Sequence, residues 1–438
     1  MRVASCAAMS TASAAAAMSS FTVAFLCVVG LPCGKHPFHA TRRGGLPAQR
    51  CNMGGGRPVI LYTDGRRLSE TGMAMRILQI ISSSRTSGAE RHMVVLSEHL
   101  LKRDHEVTAI CPPGGWISRQ LAEAKVPMLE WPMHGYRAPA TVLRLRQYIQ
   151  QNGVQIVHTH LTRAAYMGYV AGMLTGVPVI STMHTLNRDW AYRFLPPRNH
   201  WFVAVSQDLM RAMTRRGVRP ERVRVVYNGS SMRAPDGDPR TIVAEVRADL
   251  NVPLDAPVLG VFGRVDEFKG QHILVQAGGE IAQAFPDVHF LFVGHAAPAQ
   301  QRRLRDLAAR DGLEDRLRFA GVRDDVARLM TATDVVVLTS ETEACSMAII
   351  EAMMVGRPVV ATRAGGNPEL VADGETGLLV ERTPADVARA LRILLSNPER
   401  RAAMGEAGRK RALERFTAER MAEEMEQFYE DILSRRSS

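Results

Sequence analysis

The chain has 438 residues, of which 46% are hydrophobic and 23% charged, a composition typical of a globular protein with two or three domains. Its formal net charge of +11 is uneven, because residues 1–74 hold eight Lys and Arg against two acids and leave only +5 for the rest. Since no basic stripe interleaved with aromatic residues stands out beyond residue 74, we expect no nucleic-acid partner; the mild excess suits phosphorylated small molecules or an anionic membrane surface.

Residues 1–74 have the composition of a leader. They are rich in Ala and Ser and then in Gly, Arg and Pro, with no sustained period. The apolar run Phe21–Leu31 has the length of a signal-peptide core, but only Arg2 supplies positive charge before it and a poor cleavage site follows it. A first buried strand begins near Met75. We therefore interpret residues 1–74 as either disordered or an artefact of start-site choice.

From Met75 onwards, short apolar runs alternate with helical stretches, which is typical of parallel sheet covered by helices on both faces. The strands predicted for the first half are Ile77–Ser82, Glu106–Cys111, Val154–His158, Val177–Thr182, Phe202–Val205 and Val223–Tyr227. The polar segment NGSSMRAPDGDPR then ends a first domain. The strands predicted after it are Val258–Phe262, His289–Val293, Leu317–Phe319, Val335–Leu338, Val359–Ala361 and Leu378–Val380. The chain is predicted to be helical from about Pro384 to its end.

Two loops that follow predicted strands are candidate phosphate sites, because ligands of doubly wound sheets bind beyond the carboxyl ends of the strands. The loop Gly263–Gly270 carries Arg264 and Lys269, a guanidinium and an ammonium that can grip two phosphates. The alternative is a solvated charged loop. The loop Ser82–Glu90 leads into a helix, so that backbone N–H groups and the helix dipole can face a bound phosphate. Gly88 either lets a phosphate approach the backbone or is required only by the geometry of an ordinary strand-to-helix turn.

The predicted helix Ser346–Val355 is apolar on nearly every side and yet contains Glu351, while Glu343 lies just before it. Ser346 is the expected N-cap, which leaves the N–H groups of Ser346 and Met347 to face an anion. Even along a continuous helix the two carboxylates would be about 12 Å apart, against roughly 5 Å for the pair of a retaining glycosidase. They suit two ends of one elongated ligand. A buried structural ion pair is the alternative for Glu351.

His184 follows a predicted strand of the first domain and is a candidate site residue for that reason. The alternative is a structural histidine with satisfied hydrogen bonds. His158 and His160 are weaker candidates, because the end of a strand explains them adequately. The spacing of the histidines predicts no metal site, and no zinc signature is present.

Taken together, the ordered motifs resemble those of the retaining glycosyltransferases of family 4, from about Met75 to the C-terminus. They are SGAERHM, VAVSQDL, the GR…KG loop, Glu343-x7-Glu351 and the run GRPVVAT–GG–PELV–DG–GLLV. The resemblance implies the GT-B fold, in which two Rossmann-like doubly wound α/β domains face each other across a cleft. The expected parts are a leader (1–74), an acceptor domain (75–240), a donor-nucleotide domain (241–416) and a helix that crosses back to the first domain (417–438).

The resemblance also implies the residues that contact the phosphates of a sugar nucleotide. Arg264 and Lys269 match the pair that holds the diphosphate. The N–H groups of Ser346 and Met347 match donors to the distal phosphate, and Gly88 matches the glycine loop that faces the diphosphate and the acceptor. The chain departs from the common pattern in two places. The loop commonly has Gly-Gly before the Glu and here reads Ser87-Gly88-Ala89-Glu90, and Cys345 and Ser346 stand where Phe and Gly are frequent.

For the rest of the donor, Glu351 matches the carboxylate on the ribose hydroxyls, while Glu343 and His184 match residues near the donor sugar. The family retains the anomeric configuration without a protein nucleophile, and GT-B members generally need no catalytic metal. The resemblance therefore implies no cofactor beyond the donor itself.

The function expected from these features is that of a retaining hexosyltransferase. It would move a sugar from a UDP- or GDP-sugar to a hydroxyl of a glycan or lipid-linked acceptor in cell-envelope polysaccharide or lipopolysaccharide synthesis. The alternatives are a sugar-nucleotide epimerase of GT-B fold and a non-catalytic sugar-nucleotide-binding protein. Outside the leader only Cys111 and Cys345 are present, far apart, which fits a reducing compartment. We expect a cytoplasmic protein that associates peripherally with the inner membrane.

Overall fold

Two parallel sheets form the frame of the part of the chain that the computed structural model describes, residues 74–84, 87–133, 138–185 and 199–437. Many of their strands are continuous apolar runs buried on both faces, such as Val258–Phe262 and Val335–Leu338. Such strands are characteristic of parallel sheet covered by helices. The predicted α/β class with two doubly wound domains is confirmed.

The first sheet has seven strands in the order β3-β2-β1-β4-β5-β6-β7. The strands are β1 Arg76–Ile81, β2 Glu106–Cys111, β3 Met128–Glu130, β4 Ile156–His160, β5 Val179–Met183, β6 His200–Ala204 and β7 Val223–Val225. The helices between them are α1 Gly88–Lys102, α2 Trp116–Glu123, α3 Ala138–Gln151, α4 Thr162–Thr175 and α5 Gln207–Arg215. The strand order reverses between β1 and β4, and the crevice at such a switch point is where ligands bind.

The second sheet has six strands in the order β10-β9-β8-β11-β12-β13. The strands are β8 Val258–Phe262, β9 His289–Val293, β10 Leu317–Gly321, β11 Val335–Leu338, β12 Val359–Thr362 and β13 Gly377–Val380. The helices are α6 Pro239–Asp249, α7 Gln271–Ala284, α8 Pro298–Ala308, α9 Val326–Thr331, α10 Met347–Met354, α11 Asn367–Leu370, α12 Pro384–Leu395, α13 Pro398–Arg415 and α14 Ala418–Ser437. Its switch point lies between β8 and β11. None of the helices in the described ranges combines the length and apolar character needed to cross a membrane.

The observed elements differ from the predicted ones at short or interrupted segments. The three-residue edge strand β3 and the short helices α9 and α11 were not predicted, because segments of this length carry little periodic signal. The helical region predicted from about Pro384 to the end consists of three helices, of which the last, α14, begins at Ala418. Asn397 caps the second of them by accepting a hydrogen bond from the backbone N–H of Arg400 at 2.8 Å, and the third begins after a break at Phe416 and Thr417.

The last helix, α14, packs on the first domain. Its apolar face joins Leu96 and Leu100 of α1 and Ile77 of β1 in one buried cluster; that face consists of Met421, Ala422, Met425, Phe428, Tyr429 and Ile432. The buried carboxylate of Glu426 on the same helix contacts Nε2 of His105 at 2.9 Å and the guanidinium of Arg103 at Nε, 2.5 Å away.

Two chain segments cross between the domains side by side. The backbone N–H of Ser230 donates to the carbonyl of Phe416 at 3.0 Å, and that of Ala418 donates to the carbonyl of Ser230 at 3.1 Å. A Cβ at Gly229 would lie 2.3 Å from the carbonyl oxygen of Thr417, so only glycine permits this approach. The predicted domain limit at 240/241 stays a prediction; helix α6 near it begins at Pro239.

Candidate functional site

The candidate site begins at the loop after β8, which is next to β11 in the sheet. Lys269 points its Nζ at Oε1 of Glu343, 2.6 Å away, with 35% of the lysine side chain and 10% of the glutamate side chain exposed. Arg264 lies elsewhere on the loop: its side chain is 63% exposed and its Nε is 2.5 Å from Oδ2 of Asp266. The structure therefore joins Lys269 to the helix-side carboxylate and leaves Arg264 towards solvent.

Gly270 lets this loop close against the end of β11. Its φ is +69°, and a Cβ there would lie 2.2 Å from the carbonyl oxygen of Thr339. The carboxylate of Asp266 also accepts a hydrogen bond from the backbone N–H of Lys269 at 2.9 Å. The loop is thus held in a shape that directs Lys269 towards the segment after β11.

Glu343 is fixed by that segment and by two glycines beyond β12. Its carboxylate accepts a second hydrogen bond from the hydroxyl of Ser340 at 2.7 Å, and its carbonyl accepts one from the N–H of Gly366 at 2.8 Å. A Cβ at Gly365 would lie only 2.0 Å from the same carbonyl oxygen. The Gly-Gly pair of the sequence motif is required here for close packing under Glu343.

Glu351 lies inside α10 with 9% of its side chain exposed. Its partner comes from the other domain: Nη1 of Arg91, on α1, is 3.4 Å from Oε1 of Glu351. Burial raises the pKa of Glu351, and the charge of Arg91 lowers it in part. No role was predicted for Arg91 from the sequence; its place in the motif SGAERHM, in the first turn of α1, was the available signal. The ion pair matches the structural alternative for Glu351, and the ribose contact stays a prediction.

Ser346 occupies the N-cap position of α10, with φ −74° and ψ 115°, but its side chain makes no capping hydrogen bond. The helix therefore begins where it was predicted to begin, with Ser346 as the N-cap residue. The first N–H groups of a helix have no acceptor within the helix. A capping hydroxyl would accept from the N–H of Ala348 or Ile349, so the N–H groups of Ser346 and Met347 have the capacity to bind an anion in either case.

Gly88 is the first residue of α1 and is exposed. A Cβ at this position would meet no atom within 4 Å among the described residues. The turn itself therefore does not require glycine at Gly88. The predicted contact with phosphate stays a prediction.

His184 follows β5 and belongs to a group of imidazoles in the first domain. Its Nε2 is 3.3 Å from Nδ1 of His160, at the end of β4, and its ring centroid is 4.9 Å from that of His92 on α1. Burial is the main cause that lowers the pKa of His184 well below its ordinary value. His158 is a satisfied structural histidine, hydrogen-bonded to Tyr429 Oη at 2.6 Å and to Thr182 Oγ1 at 2.7 Å. The presence of His92 in this group was not predicted from the sequence.

This architecture, with two doubly wound domains, a cation loop and a helix that follows β11 and contains a carboxylate, defines a GT-B protein. A family model described as "Glycosyl transferases group 1" matches residues 243–411, and one described as "Glycosyltransferase Family 4" matches residues 86–231. The chain belongs to the group 1, or family 4, glycosyltransferases.

Individual relatives and solved structures agree with this assignment. The chain is 30% identical to a D-inositol 3-phosphate glycosyltransferase of Corynebacterium kroppenstedtii, over 64% of this chain and 67% of the relative. It is 29% identical to an alpha-maltose-1-phosphate synthase of Mycolicibacterium smegmatis, over 68% of this chain and 85% of the relative. The crystal structure of Anabaena Alr3699/HepE in complex with UDP and glucose aligns with a TM-score of 0.73 and 26% identity, over 81% and 99% of the chains. WaaG, at 16% identity, shares the fold with a TM-score of 0.63, over 81% and 99% of the chains.

The predicted family, the GT-B fold and the class of glycosyltransferase are confirmed. The roles of individual residues, the expected lack of a metal or cofactor, the acceptor and the stereochemistry stay predictions.

Proposed function

We propose that the protein is a retaining glycosyltransferase that moves a hexose from a nucleoside-diphosphate sugar to an acceptor hydroxyl. The observation that carries the proposal is the ion pair between Lys269 and Glu343 beside the switch point of the second sheet. Departure of a nucleoside diphosphate develops negative charge on a phosphate oxygen. A lysine, an arginine and the N-terminus of α10 within one loop cluster are suited to stabilise that charge.

The contacts suggest how binding and chemistry are linked. A donor diphosphate beside Lys269 would compete with Glu343 for the ammonium group, because both ligands are anionic. The displaced carboxylate would then be able to accept a hydrogen bond from a hydroxyl of the donor sugar. Arg264, whose side chain is exposed, would turn towards the diphosphate. We propose that Glu351 accepts hydrogen bonds from the ribose and that His184 lies near the donor sugar.

We propose that the anomeric configuration is retained by attack from the face that the diphosphate leaves. This route needs no nucleophile from the protein, and Glu343, which also accepts a hydrogen bond from the hydroxyl of Ser340 at 2.7 Å, is assigned only a contact with the donor sugar. No catalytic metal or cofactor is part of the proposal. The stereochemistry is tested by NMR of the anomeric proton in the product formed from an α-linked donor; an inverted product would contradict it.

The test of the donor site uses two alanine variants and a matched control. Lys269→Ala and Arg264→Ala should each slow transfer by at least about 10²-fold, as loss of one preorganised electrostatic donor does in other enzymes. Lys410→Ala removes an exposed lysine on α13 and should leave kcat/KM unchanged. Wild-type turnover in both donor-site variants would contradict the assignment of Lys269 and Arg264 to the donor diphosphate.

For the nucleotide we propose uridine ahead of guanosine, because the similar structure of HepE was solved with UDP and glucose. A thermal-shift screen with UDP-, GDP- and ADP-sugars measures this directly. The largest rise in Tm should come with a UDP-sugar. A rise of Tm with the GDP-sugar alone would contradict this order.

For the acceptor we propose a glycan or lipid-linked molecule of the cell envelope, met by the first domain at the cytoplasmic face of the inner membrane. Helix α3 supports this with exposed Arg144 and Arg146 beside Leu143, which is 52% exposed. Arg144 also lies over the ring of Trp131 at 5.2 Å. Residues 137, 188, 190 and 193, which the sequence also suggested for this surface, lie outside the described residues.

A second candidate acceptor is a small phosphorylated polyol, because a relative is named a D-inositol 3-phosphate glycosyltransferase. Sedimentation with anionic vesicles and an acceptor panel distinguish the two. An entirely soluble protein that is active on soluble acceptors only would refute the membrane-face acceptor. Incubation of the donor without acceptor separates these transferase proposals from an epimerase, which needs no acceptor. Donor binding with no transfer to any extract would indicate a non-catalytic protein.

A further inference from the structure

Three imidazoles from distant parts of the sequence meet in the first domain. They are His92 on α1, His160 at the end of β4 and His184 after β5. One ring nitrogen of each lies within 4.8 Å of one ring nitrogen of the others. The closest pair is Nδ1 of His160 and Nε2 of His184, 3.3 Å apart.

The hydrogen bonds around two of these rings leave each ring with a nitrogen lone pair that faces the cluster. Nε2 of His160 is 2.7 Å from Oε1 of Gln79, and since a carbonyl oxygen only accepts, His160 donates there and keeps a lone pair on Nδ1. Nδ1 of His92 is 2.9 Å from Oδ1 of Asn228. The amide of Asn228 is oriented by the hydrogen bond that its Nδ2 donates to the carbonyl of Cys345 at 2.9 Å. Outer hydrogen bonds of this kind orient metal-binding histidines.

The unpaired Nε2 of His92 independently indicates that the cluster binds a ligand. His92 is fully buried, and among the described residues this nitrogen has no hydrogen-bond partner. An unpaired buried polar atom is costly, so it calls for a partner. Burial also lowers the pKa of His92 to about 4 and those of His160 and His184 well below the ordinary value. The rings are therefore neutral near pH 7, which is the form that binds metals.

The spacing fits a tetrahedral ion. Zn–N bonds of about 2.0–2.1 Å place two ligand nitrogens about 3.3–3.4 Å apart, and the pair His160–His184 is already at 3.3 Å. A side-chain movement of at most about 1.5 Å would bring the third nitrogen into place. His184 is only partly buried, so one side of the cluster is accessible.

We propose that His92, His160 and His184 bind one borderline transition-metal ion of the Zn²⁺ class, and that the bound ion inhibits sugar transfer. Three imidazoles with a fourth position for water make a ligand set that such ions favour. The inhibition rests on the proposed function, because the ion would occupy Nε2 of His184 beside the donor sugar. Metal binding itself does not depend on that function.

The experiment is a titration of the full chain, prepared without a polyhistidine tag and stripped with a chelator, with Co²⁺ followed by visible absorption. We expect the spectrum of a nitrogen-bound, tetrahedral-type ion with one equivalent, and its displacement by Zn²⁺. His92→Gln should weaken binding at least about tenfold. His99→Gln, on the same helix and also buried, is the matched control and should bind as the wild type does. The absence of stoichiometric binding, or equal binding by His92→Gln, would overturn the site.

A melting curve checks that His92→Gln is folded, and His184→Gln, which alters the accessible side of the cluster, replaces it if it is not. In the activity arm, Zn²⁺ should slow transfer and a chelator should restore it. Binding without inhibition would refute the effect on transfer. An enzyme that is inactive with every donor would question the proposed function, and the Co²⁺ titration would still decide the metal site.

Discussion

The carboxylate of Glu351 lies inside an apolar helix, and its cationic partner comes from the other domain. Residues around it in α10 are buried, and Arg91 contacts it at 3.4 Å. Burial raises its pKa more than Arg91 lowers it. Because ionising a buried carboxylate costs free energy, the charge of Glu351 reduces stability unless a ligand uses it. This makes Glu351 a candidate for a residue retained for binding.

The pH dependence of stability should show this cost. A raised pKa means that the stability contributed by the protonated group is fully present below the ordinary value of about 4.3 and is lost as the pH rises through the folded value. Because glutamine does not ionise, Glu351→Gln does not lose this stability as the pH rises. The Tm of Glu351→Gln relative to the wild type should therefore increase from about pH 4.3 upwards and then level off.

Thermal melts of the two proteins from pH 4 to 8 test this, with Glu423→Gln, an exposed glutamate, as control. A Tm difference that stays constant with pH, or that falls as the pH rises, would contradict the direction assigned to Glu351.

At the scale of an element, α10 is the helix on which the candidate site depends. Ile349, Ile350, Ala352 and Met353 are fully buried in it, and they pack in the core that extends to the first domain through Met183 and Phe202. A helix that is buried on nearly all sides cannot shift without opening cavities. The N–H groups at its start are held in place by this packing.

The same substitution at a buried and at an exposed isoleucine should distinguish the contribution of side-chain packing to stability from that of helix propensity. Ile350→Ala in α10 should destabilise the protein by about 2–5 kcal/mol, since it removes transfer free energy and leaves a cavity. Ile393→Ala in α12, where the side chain is 40% exposed, should cost within about 0.5 kcal/mol. Urea unfolding followed by circular dichroism measures both, and equal losses would show that α10 is not tightly packed.

For the whole molecule, Glu369 of α11 makes one of the contacts that join the second domain to the first. Its carboxylate accepts hydrogen bonds from the backbone N–H groups of Gln207 and Asp208, both at 2.7 Å, at the start of α5. It also accepts one from the hydroxyl of Tyr227 at 2.8 Å. A carboxylate at a helix N-terminus is favoured by the helix dipole, so Glu369 stabilises the observed closure of the domains.

Glu369→Gln should loosen this closure, because an amide replaces one accepting oxygen with a donor that faces N–H groups. Loss of a hydrogen bond to a charged group costs about 1.5–3 kcal/mol. We expect faster amide hydrogen exchange at Gln207 and Asp208 and a higher KM for the donor. Glu375→Gln, which changes an exposed glutamate of the same domain, should do neither. Unchanged exchange at both amides would show that Glu369 does not hold the domains.

The fold class and the family could be predicted from the amino-acid sequence, because both depend on local features such as apolar runs and short motifs. Apolar runs alternating with helical stretches predicted two parallel sheets, and residues at strand ends, such as Arg264, Lys269 and Glu343, marked the second-domain site. Helix α10 was recognised from its apolar character alone. Segments too short to show a periodic pattern of apolar residues, such as β3, were not predicted.

The identity of the side-chain partners, in contrast, required the three-dimensional structure. Arg91 and Glu351 are 260 residues apart in the sequence, and His92 joins His160 and His184 through the placement of α1 against β4 and β5. The spacing of the histidines along the chain predicted no such cluster. Pairs of this kind depend on strand order and domain closure, and the distance between residues along the chain carries no information about either.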